Sequence, residues 1–437
     1  MRTGLVYLFI FLGFGLRADS KELNALAQWG QWRGPLGTGE APLAKPPLEW
    51  AEDKNIRWKL SLPGLGHSSP VVWGDRLFVT AAVPFGKAVE PVFDNAPGSH
   101  DNLPVSRKHR FVILAVDREK GQVLWQKTLT EAFPHEGGHK SGSLASNSPV
   151  TDGKRVYAFF GSRGLYCLDF EGTLQWSKDL GKKQTKHAHG EGSSPALHGD
   201  TLIVNWDHEG QSAVFAFDTT SGEEKWKVAR DELTSWSSPI IVRHGKSTQV
   251  IVSATKRIRS YALETGALLW ECGGLSRNVV ATPVAADGML YAGSSYEKRA
   301  FLAINLDGAK GDITGTEQIA WASNQRTPYV PSPVLYKDTL YYLTHYQGIL
   351  SCIEARTGET RTGPFRLGSI RNVYASLVAA DDRIMITDLD GTTLVLDHED
   401  PKPLAINRLE DSFSATPALV GDALYLRGAR YLYCIGK

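Results

Sequence analysis

GHSSPVVWGDRLFVT, residues 66–80, reads as a strand, a tight turn and a second strand, and the chain writes variants of the same phrase seven more times. ASNSPVTDGKRVYAF begins at Ala145, GSSPALHGDTLIVN at Gly192, VATPVAADGMLYAG at Val280, VPSPVLYKDTLYYL at Val330 and SATPALVGDALYLR at Ser414. Registered on their Ser/Thr-Pro pair, the copies fall at Pro70, Pro149, Pro195, Pro239, Pro283, Pro333, Leu377 and Pro417, where Leu377 breaks the pattern. The intervals are 79, 46, 44, 44, 50, 44 and 40 residues, a mid-forties period that belongs to a four-stranded propeller blade.

Each copy carries a second half. ILAVDREKGQVLW, LYCLDFEGTLQW, VFAFDTTSGEEKW and SYALETGALLW join a short strand through a Gly-containing turn to a strand that ends in Trp, which is a hairpin signature. Every unit thus supplies strands A, B, C and D. The eighth copy reaches Lys437 after its C strand, and NIRWKLSL, residues 55–62, resembles a D strand placed ahead of the first A strand. The expectation is an all-β, eight-bladed propeller whose ring is closed by an N-terminal strand, leaving no long sheet edge exposed.

The repeat also accounts for residues that would otherwise invite chemistry. Trp58, Trp125, Trp176, Trp226, Trp270 and Trp321 recur at the end of D strands, where they pack between blades; blades 6 and 7 have no such Trp and are expected to be held less tightly. Two residues before the acidic position of each C strand stand Ala115, Cys167, Ala216, Ala262, Ala303, Cys352, Val395 and Cys434, so three of the four cysteines occupy a slot for a small buried side chain.

Lys and Arg total 48 against 47 for Asp and Glu, which removes the broad positive field of a nucleic-acid binder. Residues 1–18 carry Arg2, an apolar run and Ala18, the pattern of a cleaved export signal, and no later stretch is long and apolar enough to span a bilayer. Residues 19–54 then form an extended N-terminal segment ahead of a propeller over 55–437. An exported chain, periplasmic or extracellular, and a monomer, is expected.

The SSPVV..GDRLFV phrase combined with LD..TG..LW on this period resembles the pyrroloquinoline quinone (PQQ)-like propeller repeat family over about residues 55–437. The resemblance implies either a non-catalytic ligand- or protein-binding scaffold of the cell envelope or exterior, the reading favoured here, or a PQQ-dependent quinoprotein oxidoreductase acting on alcohols or sugars. The enzymes of the family commonly set an adjacent cysteine pair against the cofactor and hold Ca²⁺ with acidic and amide side chains. This chain has no adjacent cysteines.

In a blade ordered A to D, the A–B and C–D turns share one face, and the B–C and D–A loops share the other. The second set includes the long and His-rich segments, and loops on a rigid scaffold are where binding concentrates. The D–A loops carry His67; His135 and His139; His187 and His189; Trp236; Arg277; Arg326 and Tyr329; Arg371 and Tyr374; and Phe413. The insert 84–110 between B and C of blade 1 is expected over the same face. Histidines on one arc and arginines with tyrosines on the other predict a polar funnel for a small anionic or carbohydrate-like ligand, or for an envelope protein. HEGGH, residues 135–139, matches a zinc-protease string only superficially, because Gly137 and Gly138 oppose the helix its ligands require. His187, His189 and Glu191 in HAHGEG have the spacing of alternate strand positions and the chemistry of transition-metal ligands.

Overall fold

The computed structural model describes residues 20–437 apart from Asn95, so the expected signal over 1–18 lies outside the described residues. Eight antiparallel sheets follow one another, each beginning on a short inner strand. The inner strand is Val71–Trp73 in blade 1 and Ala196–His198 in blade 3, and in blade 8 it is Ala418–Val420. The outer strand of blade 8 is the N-terminal Ile56–Ser61, which pairs antiparallel with Tyr431–Ile435. Strand burial follows position in the blade. Thr201–Trp206, the second strand of blade 3, is buried at every residue because blades cover both of its faces, whereas the outer strand Glu224–Arg230 shows mixed burial.

The repeated Ser/Thr has a specific task. The amide of Ser69 donates to the hydroxyl of Ser148 (2.8 Å), Ser148 to Ser194, Ser194 to Ser238, Ser238 to Thr282, Thr282 to Ser332 and Ser332 to Ser376 (each 2.9 Å). Ser376 donates to Thr416 (3.0 Å), and Thr416 returns to Ser69 (2.9 Å), so the chain of bonds closes on itself. Leu377 replaces the proline but leaves the hydroxyl of Ser376 in place, so the circle is unbroken. All eight residues are buried.

A second set of contacts joins the blades further out. The indole N–H of Trp58, Trp125, Trp176, Trp226 and Trp321 donates to the carbonyl of Arg118, Phe170, Thr219, Leu263 and Ala355 respectively, each in the C–D turn of the next blade. The ring lies flat on that turn. A Cβ on Gly222 (φ 71°) would stand 2.6 Å from the Trp176 ring, and one on Gly121 2.4 Å from Trp58, so these turns require glycine. Across the hairpin Trp125 faces Ala115, Trp176 Cys167, Trp226 Ala216, Trp321 Ala303 and Trp58 Cys434, which is why that slot is small. Blade 4 corrects the expectation, since Trp270 faces Ser260 rather than Ala262. Its indole also bonds its own blade's Gln249 (3.0 Å), because Gly311–Asp312 from blade 5 runs parallel along that outer edge. The four cysteines are free thiols in the core.

Residues 29–50 run across the A–B-turn face. Trp29 exchanges backbone hydrogen bonds with Val72, and Thr151 donates to the carbonyl of Gly30. Arg33, 1% exposed, donates to the carbonyls of Leu377 (2.8 Å), Thr38 (2.8 Å) and Pro333. The backbones of Ala41 and Lys45 pair with Ala379 and Gly421, and the amide of Trp50 donates to Asn407. The sector lacking Trp, blades 6 and 7, is therefore strapped by the N-terminal segment. Trp32 reaches the axis, where its indole donates to Thr416 (3.1 Å), and it divides the central channel into cavities of about 520 and 340 Å³.

Two outcomes are expected. Ser148→Ala leaves the buried Ser69 amide without its acceptor and lowers unfolding free energy by about 1–3 kcal/mol, while Ser148→Thr keeps it; an unchanged melting temperature in the alanine variant contradicts the circle. A chain lacking residues 1–62 loses the outer strand of blade 8 and the Trp58 contact and yields no soluble, cooperatively melting protein.

Candidate functional site

The larger cavity opens on the face of the D–A and B–C loops, with Trp32 and the Ser/Thr circle at its base. The insert 84–110 forms a strap over part of its mouth. The strap pairs with itself between Val92 and Val105, and Asn102 donates to the carbonyls of His187 (2.8 Å) and Ala188 (3.2 Å). The Leu103 amide donates to Gly138 and that of Gly137 to Asp94, so the strap is tied to the D–A loops of blades 1 and 2.

That docking carries His100 into the funnel beside three D–A loop histidines. The ring of His100 lies 4.7 Å from His189, 5.5 Å from His187 and 6.4 Å from His139, and His189 lies 4.9 Å from His139. His187 and His100 each hold Nδ1 against a strap carbonyl, of Pro97 and Gly98 (both 2.8 Å). Burial, reinforced by His139, His100 and His187, drives the His189 imidazole down to about 4. His139 is lowered as well, by burial that outweighs Asp101. His67, whose amide donates to Ser143 and Ala145 of the adjacent His139 loop, is lowered to about 4 by burial and then by Arg427. His67, His139 and His189 are accordingly held in their neutral form at neutral pH.

The opposite wall is aromatic. Tyr296 stacks with Tyr329 (6.0 Å, 19°) and Tyr346 with Tyr374 (5.6 Å, 10°), and His345 sits between the pairs, 5.0 Å from Tyr329. Burial pushes the Tyr329 hydroxyl up to about 12, so it remains a neutral donor. Trp236 stands between the two walls.

Of the residues expected at the funnel, His67, His135, His139, His187, His189, Trp236, Tyr329 and Tyr374 line the cavity, whereas Phe413 is buried against Tyr433. Arg277, Arg326 and Arg371 do not line it, which corrects the expected arginine arc. In these loops Asn278, Arg326 and Asn372 have positive φ, and the residue after each (Val279, Thr327, Val373) is fully buried, so the turn leaves the arginines outside. Arg277 is 70% exposed beside Glu297 (3.8 Å). Glu191 turns away from the histidines to accept from the Ser162 amide and to meet Arg163 (3.5 Å), and among the described residues no three such side chains are placed to hold a metal. The 135–139 string is not helical, and His135 Nε2 lies 2.6 Å from the Lys183 carbonyl. Sequence reasoning missed Trp32, His100, Asn278, Tyr296, His345 and Tyr346. The last three lie in corresponding B–C loops, SSYEK and THYQG, and registering those loops as the D–A loops were would have found them.

These residues do not fit PQQ with Ca²⁺. PQQ is a planar tricarboxylate, and the only fixed cation among the lining residues is Arg163, already beside Glu191. No cysteine lines the cavity.

The fold and its funnel define an eight-bladed propeller of the PQQ-repeat type. The chain belongs to the family described as outer membrane protein assembly factor BamB, whose model matches residues 109–361 and 236–435. BamB from Moraxella catarrhalis superposes with a TM-score of 0.53 at 16% identity, over 81% of this chain and 100% of that one. The quinohemoprotein alcohol dehydrogenase from Comamonas testosteroni gives 0.65 at 11% identity, over 96% of this chain and 83% of that one. A europium-containing methanol dehydrogenase gives 0.59 at 11%, over 93% and 89%. At these identities the likeness is one of fold. A comparison with curated proteins finds no match for this chain.

His67 and His189 take up a proton more readily unfolded, near pH 6.5, than folded, near 4. The contribution of these rings to stability is therefore complete above about pH 6.5 and is lost on acidification towards about pH 4, by at most about 1.4 kcal/mol per pH unit for the more deeply buried His67 and by less for the half-buried His189. The melting temperature is expected to drop between pH 7 and 4.5, and less steeply in His67→Gln and His189→Gln. Equal slopes in variants and wild type contradict this assignment.

Proposed function

We propose that this protein is an exported, non-catalytic binding scaffold whose funnel receives a neutral, polyhydroxylated, carbohydrate-like ligand. The observation that carries the reading is that the funnel's lining guanidinium, Arg163, is already beside Glu191, while one wall is made of histidines, of which His139 and His189 are held neutral, and the other of stacked aromatics. A sugar ring presents apolar C–H faces to aromatic rings and hydroxyls that both donate and accept, which suits imidazole nitrogens and the serines at the base. An acidic ligand would need the arginines that point away. The export signal read in residues 1–18 and the family's description support an envelope or extracellular location for the scaffold. No described helix is long and apolar enough to cross a membrane.

A protein partner is a second reading, favoured by Val92 and Phe93 on the strap, 57% and 64% exposed. It is compatible with a glycan in the funnel.

Calorimetric titration of the purified protein with neutral and acidic oligosaccharides tests the proposal. Saturable binding of a neutral oligosaccharide, insensitive to salt between 0.05 and 0.5 M, is expected. Tight binding of PQQ with Ca²⁺ accompanied by dye reduction with alcohols or sugars, or binding of acidic sugars alone, overturns it.

A further inference from the structure

We propose that His189, Trp236 and Asn278 form a subsite for a single saccharide ring, a refinement that rests on the carbohydrate reading of the funnel. The three come from consecutive D–A loops and are locked together. The Trp236 indole N–H donates to the carbonyl of Gly190, the neighbour of His189 (2.7 Å), and the Trp236 amide donates to the carbonyl of Val279, the neighbour of Asn278 (2.9 Å). An indole held by both its ring and its backbone has little freedom left to lose on binding, as a stacking platform requires.

Unmet hydrogen-bonding capacity flanks that platform. His189 and Asn278 line the cavity, and His189 Nε2 and Asn278 Oδ1 are two of the thirteen buried side-chain polar atoms without a partner among the described residues, with the His100 backbone near the His189 ring. The Tyr329 hydroxyl lies near the Asn278 side chain without serving Oδ1. The chemistry selects the ligand. A neutral imidazole offers at Nε2 a lone pair in one tautomer and an N–H in the other, and a hydroxyl answers either; the amide oxygen only accepts, so it needs a donor. A carboxylate, which only accepts, cannot serve Asn278 Oδ1. A ring bearing hydroxyls on opposite edges serves both atoms while its face lies on the indole.

The test uses the full protein titrated calorimetrically with maltohexaose, cellohexaose and N-acetylchitohexaose, with melting curves recorded for every variant. For the hexasaccharide that binds, His189→Ala and Asn278→Ala are each expected to weaken affinity about tenfold and Trp236→Ala more, while Trp236→Phe, which keeps a ring, loses less. Melting temperatures close to wild type separate this loss from misfolding, and a variant that melts early is replaced by His189→Gln or Asn278→Ser. If the hexasaccharide binds all of these variants as tightly as wild type and only Tyr346→Ala and Tyr374→Ala weaken it, the subsite is wrong and the carbohydrate reading stands. If none of the three hexasaccharides binds wild type, both fall.

Discussion

Eight hydrogen bonds, each from the amide of one blade's Ser or Thr to the hydroxyl of the next, bind the innermost strands into a single circle on which everything else in the molecule depends. Each bond satisfies a buried amide that no sheet partner reaches, and a closed circle has no terminal member left unsatisfied. The circle also fixes where function sits. Its hydroxyls form the base of the funnel, and the D–A loops that carry the lining residues enter directly above it.

Closure is achieved by long-range contacts made by the N-terminal part of the chain. Ile56–Ser61 completes blade 8, and Arg33 spans the inner carbonyls of blades 6 and 7 from below. Arg33 has no acidic partner among the described residues and is buried, which pulls its guanidinium down to about 9; the carbonyls it joins are its compensation. The same segment delivers Trp32 to the axis, so the ring is closed and the funnel given its floor by one stretch of chain.

The blade architecture was legible because its rules are local. A hydroxyl before proline, a small residue opposite Trp and a glycine under the neighbouring ring each recur on a fixed period, and the count of eight and the role of residues 55–62 follow. The site was legible only in part. The D–A loops could be placed at the funnel, but the direction of a side chain there is set by one residue with positive φ, and composition does not announce it; hence the arginines were expected inside and lie outside. His100 was missed because it arrives on an insert tied down by Asn102 and Leu103, and Trp32 because the non-periodic segment carrying it finds its place through contacts more than 300 residues away along the chain, such as Trp32 to Thr416.

What emerges is a closed ring presenting a hydrogen-bonding cavity whose one lining guanidinium, Arg163, is already beside Glu191, different in electrostatic character from a pocket for a tricarboxylate cofactor. Hydrogen-exchange mass spectrometry of the protein with and without a neutral hexasaccharide addresses this most directly. The account predicts slow exchange of the inner strands in all eight blades, blade 8 included, and ligand-dependent protection confined to the D–A and B–C loops of the funnel face around residues 186–192, 234–237 and 276–279. Protection on the A–B-turn face instead, or a blade 8 that exchanges independently of its neighbours, would contradict it.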